Sequence, residues 1–122
     1  MRIDTKQTYY DGIIITPAAV AVAKTILESA FKYNVFRKKE TKGKEVLEKM
    51  FPVSGNGAET GISTLGELNK AMDRGKELLS GYYSGATLQL MKRRYEGACK
   101  VALMTAAEIA GVSLLYPISR SL

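Results

Sequence analysis

The sequence predicts an all-α fold, a bundle of three to four helices preceded by a short extended N-terminal arm. Apolar residues recur at the spacing of a helix face over several long segments. Helix-start signals precede two of these segments, and Gly and Pro residues separate them. We therefore expect an extended arm over residues 1–15 and a single helical domain over residues 16–122.

The first fifteen residues favour extended backbone. A turn is expected at Tyr9–Gly12, and the β-branched run Ile13–Ile15 follows it. The sequence offers no obvious partner strand for such a run. Two arrangements therefore remain open: the arm packs on a neighbouring copy, or it docks on the bundle of its own chain.

The first helix is predicted to begin at Thr16-Pro17, with Thr16 as N-cap and Pro17 at the first helical position. Apolar residues continue from there to Phe36 and cover most of the helix circumference, so the helix must be covered on more than one side. A basic connector is expected next, over Arg37–Lys44, and a short second helix over Lys44–Phe51.

The rest of the chain predicts a loop and two more helices. Residues 52–62 are rich in Gly and polar residues and are expected to form a flexible loop. Thr64 and Glu67 have the spacing of a capping box at the start of the third helix. The fourth helix is expected over Ala86–Leu115, with Tyr95 in its core-facing stripe.

Composition excludes several kinds of site. The chain has 122 residues, enough for one core, and contains no His and one Cys. It therefore cannot form a Ser-His-Asp triad, an imidazole metal site or an internal disulfide. We expect no enzymatic activity, no cofactor and no metal, and we expect Cys99 to be a buried thiol.

The hydropathy pattern argues against a membrane partner. The two longest apolar runs are too short or are interrupted, by Pro17 in one case and by Glu108 in the other. The N-terminal residues lack the apolar core of a signal peptide. We therefore expect a cytoplasmic protein or a component of a virion.

Glu108, placed among apolar residues, is expected to be partly desolvated and paired with a cation of this chain or of a neighbouring copy.

A polyanionic partner is suggested by the charge balance. Eighteen Lys and Arg residues against twelve Asp and Glu give a net charge of +6. Tyr33 and Phe36 precede the connector and would suit stacking on unpaired bases. The alternative is ordinary solvated surface charge. The residues predicted to contact DNA or RNA phosphates are those of the connector and of one helical run: Arg37, Lys38, Lys39, Lys42, Lys44, Lys92, Arg93 and Arg94.

Tyrosines near predicted turns are candidates for contacts between molecules. An apolar ring with a polar hydroxyl suits a partly solvated interface. Capping the ends of the chain's own bundle is the alternative. The candidate interface residues are Tyr9, Tyr10, Tyr82, Tyr83 and Tyr116.

Two highly apolar helices together with net basicity predict a structural protein that assembles with copies of itself and binds the nucleic-acid backbone. In architecture the chain resembles coat proteins of filamentous or rod-shaped archaeal viruses, which implies a coat or nucleocapsid role. It is also similar to the small helical subunits of CRISPR interference complexes, which is the first alternative. A protein-protein adaptor, or a membrane or pilus-like assembly subunit without nucleic acid, is the second.

Overall fold

The computed structural model describes residues 11–53 and 61–111 of the chain. These residues form a bundle of four helices, which confirms the all-α prediction. No helix in these ranges combines the length and apolar character that crossing a lipid bilayer requires. The helices are α1 over Pro17–Ala30, α2 over Glu40–Met50, α3 over Leu65–Leu78 and α4 over Gly85–Ile109.

Helix α1 begins where the sequence predicts and ends in an unusual turn. The Thr16 hydroxyl accepts a hydrogen bond of 3.1 Å from the Ala19 N–H, and Pro17 occupies the first turn. The chain then continues as a π-helical turn over Phe31–Val35, in which the Phe36 N–H donates to the Phe31 carbonyl at 2.7 Å. This wide turn ends with Phe36 fully buried and edge-on to Phe31.

Helix α2 begins at Glu40, so the predicted start at Lys44 is wrong and the connector is limited to residues 37–39. The error comes from Gly43, which suggests a turn but lies inside the helix and is buried. A Cβ added there would lie 3.1 Å from Phe36 Cβ and 3.3 Å from Phe31 Cβ. The glycine lets α2 approach Phe31 and Phe36 closely. This tertiary contact outweighs the tendency of glycine to form a turn, so the helix continues through position 43.

Helix α3 begins with the predicted capping box. The Thr64 hydroxyl accepts a 3.1 Å hydrogen bond from the Glu67 N–H. The Glu67 carboxylate in turn accepts hydrogen bonds from the N–H groups of Ser63 and Thr64, at 2.9 and 3.1 Å. The Ser63 N–H is the main reason that the pKa of Glu67 is lowered, because it stabilises the ionised carboxylate.

Helix α4 follows a short 3-10 turn over Leu79–Gly81 and ends earlier than predicted. It stops at Ile109, because Gly111 adopts a left-handed conformation with φ of 86° and its N–H donates to the Glu108 carbonyl. The predicted continuation to Leu115 is therefore wrong at this point, and residues 112–115 lie outside the described residues.

The core lies mainly between α1 and α4, which make the most extensive contact between elements in the described ranges. Ala19 and Ala23 of α1 and Ala102 and Ala106 of α4 are fully buried. Such small side chains let the two helix backbones approach closely. The two most apolar helices thus pack on each other along this alanine-rich face, whereas Val22 of α1 and Val101 of α4 stay exposed.

The β-branched run Ile13–Ile15 docks on the chain's own bundle. The Ile15 N–H donates to the Ser63 carbonyl and the Leu65 N–H donates to the Ile13 carbonyl, both at 2.9 Å. Ile15 is buried, whereas Ile14 is exposed. Residues 1–10 of the predicted arm and residues 54–60 of the predicted loop lie outside the described part of the chain.

Candidate nucleic-acid interface

Three predicted cations meet at the joint between α1 and α2. Lys38 and Lys39 lie on the connector, Lys42 lies in the first turn of α2, and all three are exposed. Together with Glu40, Thr41, Gly81 and Tyr82 they line an open cleft of about 560 Å³. We call Lys38, Lys39 and Lys42 the basic corner. Arg37 is exposed next to it in the sequence.

The ammonium group of Lys39 is held in position by the turn before α4. Its Nζ donates a 3.1 Å hydrogen bond to the Tyr82 carbonyl. The same atom lies 4.6 Å from the centroid of the Tyr83 ring, a favourable cation–π arrangement. Forty-three residues separate Lys39 from Tyr82, so no local sequence signal predicts this contact.

Acidic groups partly balance the corner. Lys42 Nζ lies 3.9 Å from a carboxylate oxygen of Glu45, and the Tyr82 hydroxyl donates to the same carboxylate at 3.3 Å. Glu40 lines the cleft itself. Three lysines against one lining carboxylate leave the cleft positive, with Glu45 as a second acid bound to its rim.

Tyr82 and Tyr83 are half-buried and pack inside the chain. Both rings lie 5.6 Å from the Phe36 ring, and the Tyr83 hydroxyl donates to the Val35 carbonyl. Burial raises the pKa of both tyrosines, and for Tyr82 the nearby Glu45 carboxylate adds to the effect. The two tyrosines thus cap this end of the bundle. Tyr9, Tyr10 and Tyr116 lie outside the described residues.

The two aromatic residues in front of the connector have different environments. Phe36 is fully buried, so it cannot stack on a base. Tyr33 is 68% exposed and stays accessible. Only Tyr33 therefore fits the predicted stacking role.

The second predicted cluster does not form one patch. Successive helical residues point about 100° apart, and on α4 Lys92 is half-buried whereas Arg93 and Arg94 are exposed. On the adjacent α3, Lys76 forms an ion pair with Glu96 of α4. This contact raises the pKa of Lys76 and lowers that of Glu96, mainly through their hydrogen bond. Glu96 therefore places a negative charge beside the run Lys92–Arg94 and neutralises Lys76 of the neighbouring helix.

Lys44 belongs to a different cleft, between α1 and α2, of about 310 Å³. Two carboxylates and two lysines surround an apolar floor there, so the cleft has no net preference for an anion. Its lining residues are Glu28, Phe31, Lys32, Glu40, Gly43, Lys44 and Leu47.

Burial is also predicted for two residues of α4, full burial for Cys99 and partial burial for Glu108. Cys99 is buried as predicted, and burial raises the pKa of its thiol to about 11. Glu108 is exposed, so the expectation of a partly desolvated carboxylate is wrong. Its position on the outer side of α4 is the reason. Among the described residues, no group of three or more Cys, Asp or Glu side chains is placed to hold a metal ion.

Comparisons of the chain with protein-family models, with curated proteins and with solved structures gave no match.

Proposed function

We propose that this chain is a non-enzymatic structural protein that binds the phosphate backbone of DNA or RNA at the basic corner and assembles with copies of itself, as a coat or nucleocapsid protein does. One observation supports the binding role above the others. Three exposed lysines line a single open cleft, and one of them is already held in place.

The positioning of Lys39 favours binding for an entropic reason. A free lysine side chain loses rotamer freedom when it contacts a ligand, and this loss weakens binding. The Tyr82 carbonyl and the Tyr83 ring restrict Lys39 before any ligand arrives. An ammonium group has three N–H donors, so the bond to Tyr82 leaves two for phosphate oxygens.

Backbone contacts of this kind do not depend on base sequence. We expect the protein to bind mixed-sequence nucleic acid with an affinity that falls steeply as salt rises, because each neutralised phosphate releases counterions. Tyr33, exposed on the wide turn, would add base stacking on single strands.

The test is fluorescence anisotropy with labelled mixed-sequence DNA and RNA, single- and double-stranded, over a range of salt concentrations. The variant Lys38→Gln/Lys42→Gln removes two corner cations and leaves Lys39 in its structural contacts. We expect its log–log salt slope on duplex DNA to be smaller by about 2 than that of the unmodified protein.

The matched control is Lys49→Gln/Lys70→Gln, which removes two exposed charges away from the corner. Its slope should change much less. An absence of binding at low salt would reject the proposal and favour an adaptor role. An equal decrease of the salt slope in both double variants would show nonspecific attraction of nucleic acid to the whole charged surface, without a binding site at the basic corner.

A further inference from the structure

The outward face of α4 has a residue pattern that is complementary to a second copy of itself. Leu90, Arg94, Gly97, Val101 and Glu108 recur at spacings of three, four and seven residues and are all exposed. Residues at these spacings share one side of a helix. We call these five residues the outer stripe. Val101, at its centre, is 54% exposed.

The charges of the outer stripe are symmetric about Val101. Arg94 lies seven residues before Val101 and Glu108 lies seven residues after it. At 1.5 Å of rise per residue, each charge is about 10 Å from Val101 along the helix axis. Two antiparallel copies of α4 that cross at Val101 would therefore bring each arginine opposite a glutamate. A parallel pair would oppose like charges.

We propose that two copies of this chain pair through the outer stripe of α4, antiparallel, with Val101 at the two-fold axis. In this pair Arg94 of one copy lies opposite Glu108 of the partner subunit, and the symmetry repeats the contact at the other end. An interface of this type is self-complementary, as a two-fold axis requires.

Gly97 is a second, independent observation on the same stripe. A Cβ added at Gly97 would meet no atom within 4 Å, so packing within the described part of the chain does not explain a glycine here. Glycine in a helix interior is less stable than alanine. In the antiparallel pair Gly97 lies opposite Thr105 of the partner subunit, where a missing side chain lets the helices approach.

This inference deepens the proposed function, since it rests on that function's self-assembly and names the face that performs it. It assigns Arg94 to contacts between copies and leaves the basic corner free for nucleic acid. Pairing requires no nucleic acid, so the two proposals can fail separately. A single helix pair buries less than the roughly 1,200–2,000 Å² of a standard stable interface. We therefore expect a weak dimer that forms at high protein concentration.

The first experiment is sedimentation equilibrium without nucleic acid, at low salt and up to millimolar protein. The unmodified chain should approach a dimer. Arg94→Glu and Glu108→Arg each oppose like charges and should weaken the dimer about tenfold. The combined swap Arg94→Glu/Glu108→Arg keeps the net charge and should restore it. Circular dichroism confirms that each variant is folded.

The matched control is Lys100→Glu, which makes the same charge change as Arg94→Glu on an exposed residue beside the stripe. It should leave the dimer affinity within about threefold of that of the unmodified chain. Failure of the swap to restore pairing would overturn the antiparallel arrangement. A dimer that is insensitive to both single variants would place the interface elsewhere.

Crosslinking provides a readout that does not depend on a strong dimer. In Val101→Cys the two new thiols meet at the two-fold axis, so mild oxidation should give a disulfide-linked dimer. The rate should be at least about tenfold above that of Lys100→Cys, whose thiols face away from the axis. The native Cys99 is buried and contributes little. Equal rates, together with a monomer at all concentrations, would reject the proposal.

Discussion

Gly75 of α3 lies directly against the phenol of Tyr95 on α4. A Cβ at position 75 would overlap the Tyr95 hydroxyl and the sulfur of Met50. The Tyr95 hydroxyl donates a 2.6 Å hydrogen bond to the Met72 carbonyl, and the ring stacks on Phe31 at 5.7 Å. Burial raises the pKa of Tyr95 far above its usual value, because the buried site disfavours the charged phenolate. This side chain of α4 therefore contacts α2 at Met50, α3 at Met72 and the wide turn at Phe31.

We predict that Gly75→Ala destabilises the protein. Alanine favours a helix over glycine by about 1 kcal/mol, but overpacking a core costs about 1–3 kcal/mol. The added methyl group meets Tyr95 and Met50 here, so we expect a net loss of up to about 2 kcal/mol. Urea unfolding measures it. Gly81→Ala, whose Cβ would meet nothing within 4 Å, is the control and should change stability by less than the core variant.

Tyr95→Phe should remove the hydrogen bond to Met72 while keeping the ring. The Met72 carbonyl loses this partner in the interior, so the free energy of unfolding should fall by about 1–2 kcal/mol. Tyr33→Phe makes the same chemical change on an exposed ring. Its free energy of unfolding should lie within about 0.5 kcal/mol of that of the unmodified protein. Equal stability of Tyr95→Phe and the unmodified chain would contradict a structural role for the hydroxyl.

Local sequence signals predicted local structure well. Thr16 and the Thr64–Glu67 box mark helix starts because their hydrogen bonds close within three residues. Pro17 marks a start because its ring fixes φ near the helical value and it has no N–H to leave unpaired. Gly43 misled the prediction of α2, because its role is a contact with Phe31 and Phe36 and not a turn. Spacing cannot distinguish a glycine that bends the chain from one that admits a neighbouring ring.

The capping box should make stability depend on pH. The folded state lowers the pKa of Glu67, so its ionised form stabilises the fold. This contribution is complete above the ordinary glutamate pKa of 4.5 and is lost as the pH falls through the lower pKa of the folded state. The difference in unfolding free energy between the unmodified protein and Glu67→Gln should therefore shrink between pH 5 and pH 3, whereas a constant difference would count against this linkage.

The thiol of Cys99 should react slowly in the folded protein. With a pKa of about 11 instead of 9.0, the fraction of thiolate at pH 8 falls about a hundredfold, and burial also limits access. We expect a disulfide reagent such as DTNB to modify it at least about a hundredfold faster in concentrated urea than in buffer. Comparable rates in the two conditions would show that Cys99 is accessible.

The candidate site was predictable in composition but not in arrangement. Consecutive lysines mark the joint between α1 and α2, whereas the contact of Lys39 with Tyr82 depends on how α4 returns to that joint. The run Lys92–Arg94 suggested a second patch, but helical geometry separates its members and Glu96 binds Lys76 beside them. The number of charges along a sequence does not show which acidic residue of one helix pairs with a basic residue of the neighbouring helix.

The wide turn at Phe31–Val35 also sets the direction in which Phe36 points. A π-helical turn takes up one residue more than an α-helical turn, so it delays the winding of the chain by about 100°. With this delay Phe36 points inward. Regular α-helical winding over the same residues would place Phe36 about 140° around the axis from Phe31 and turn it away from the core. Phe36 thus reaches the core because the preceding helix carries one surplus residue.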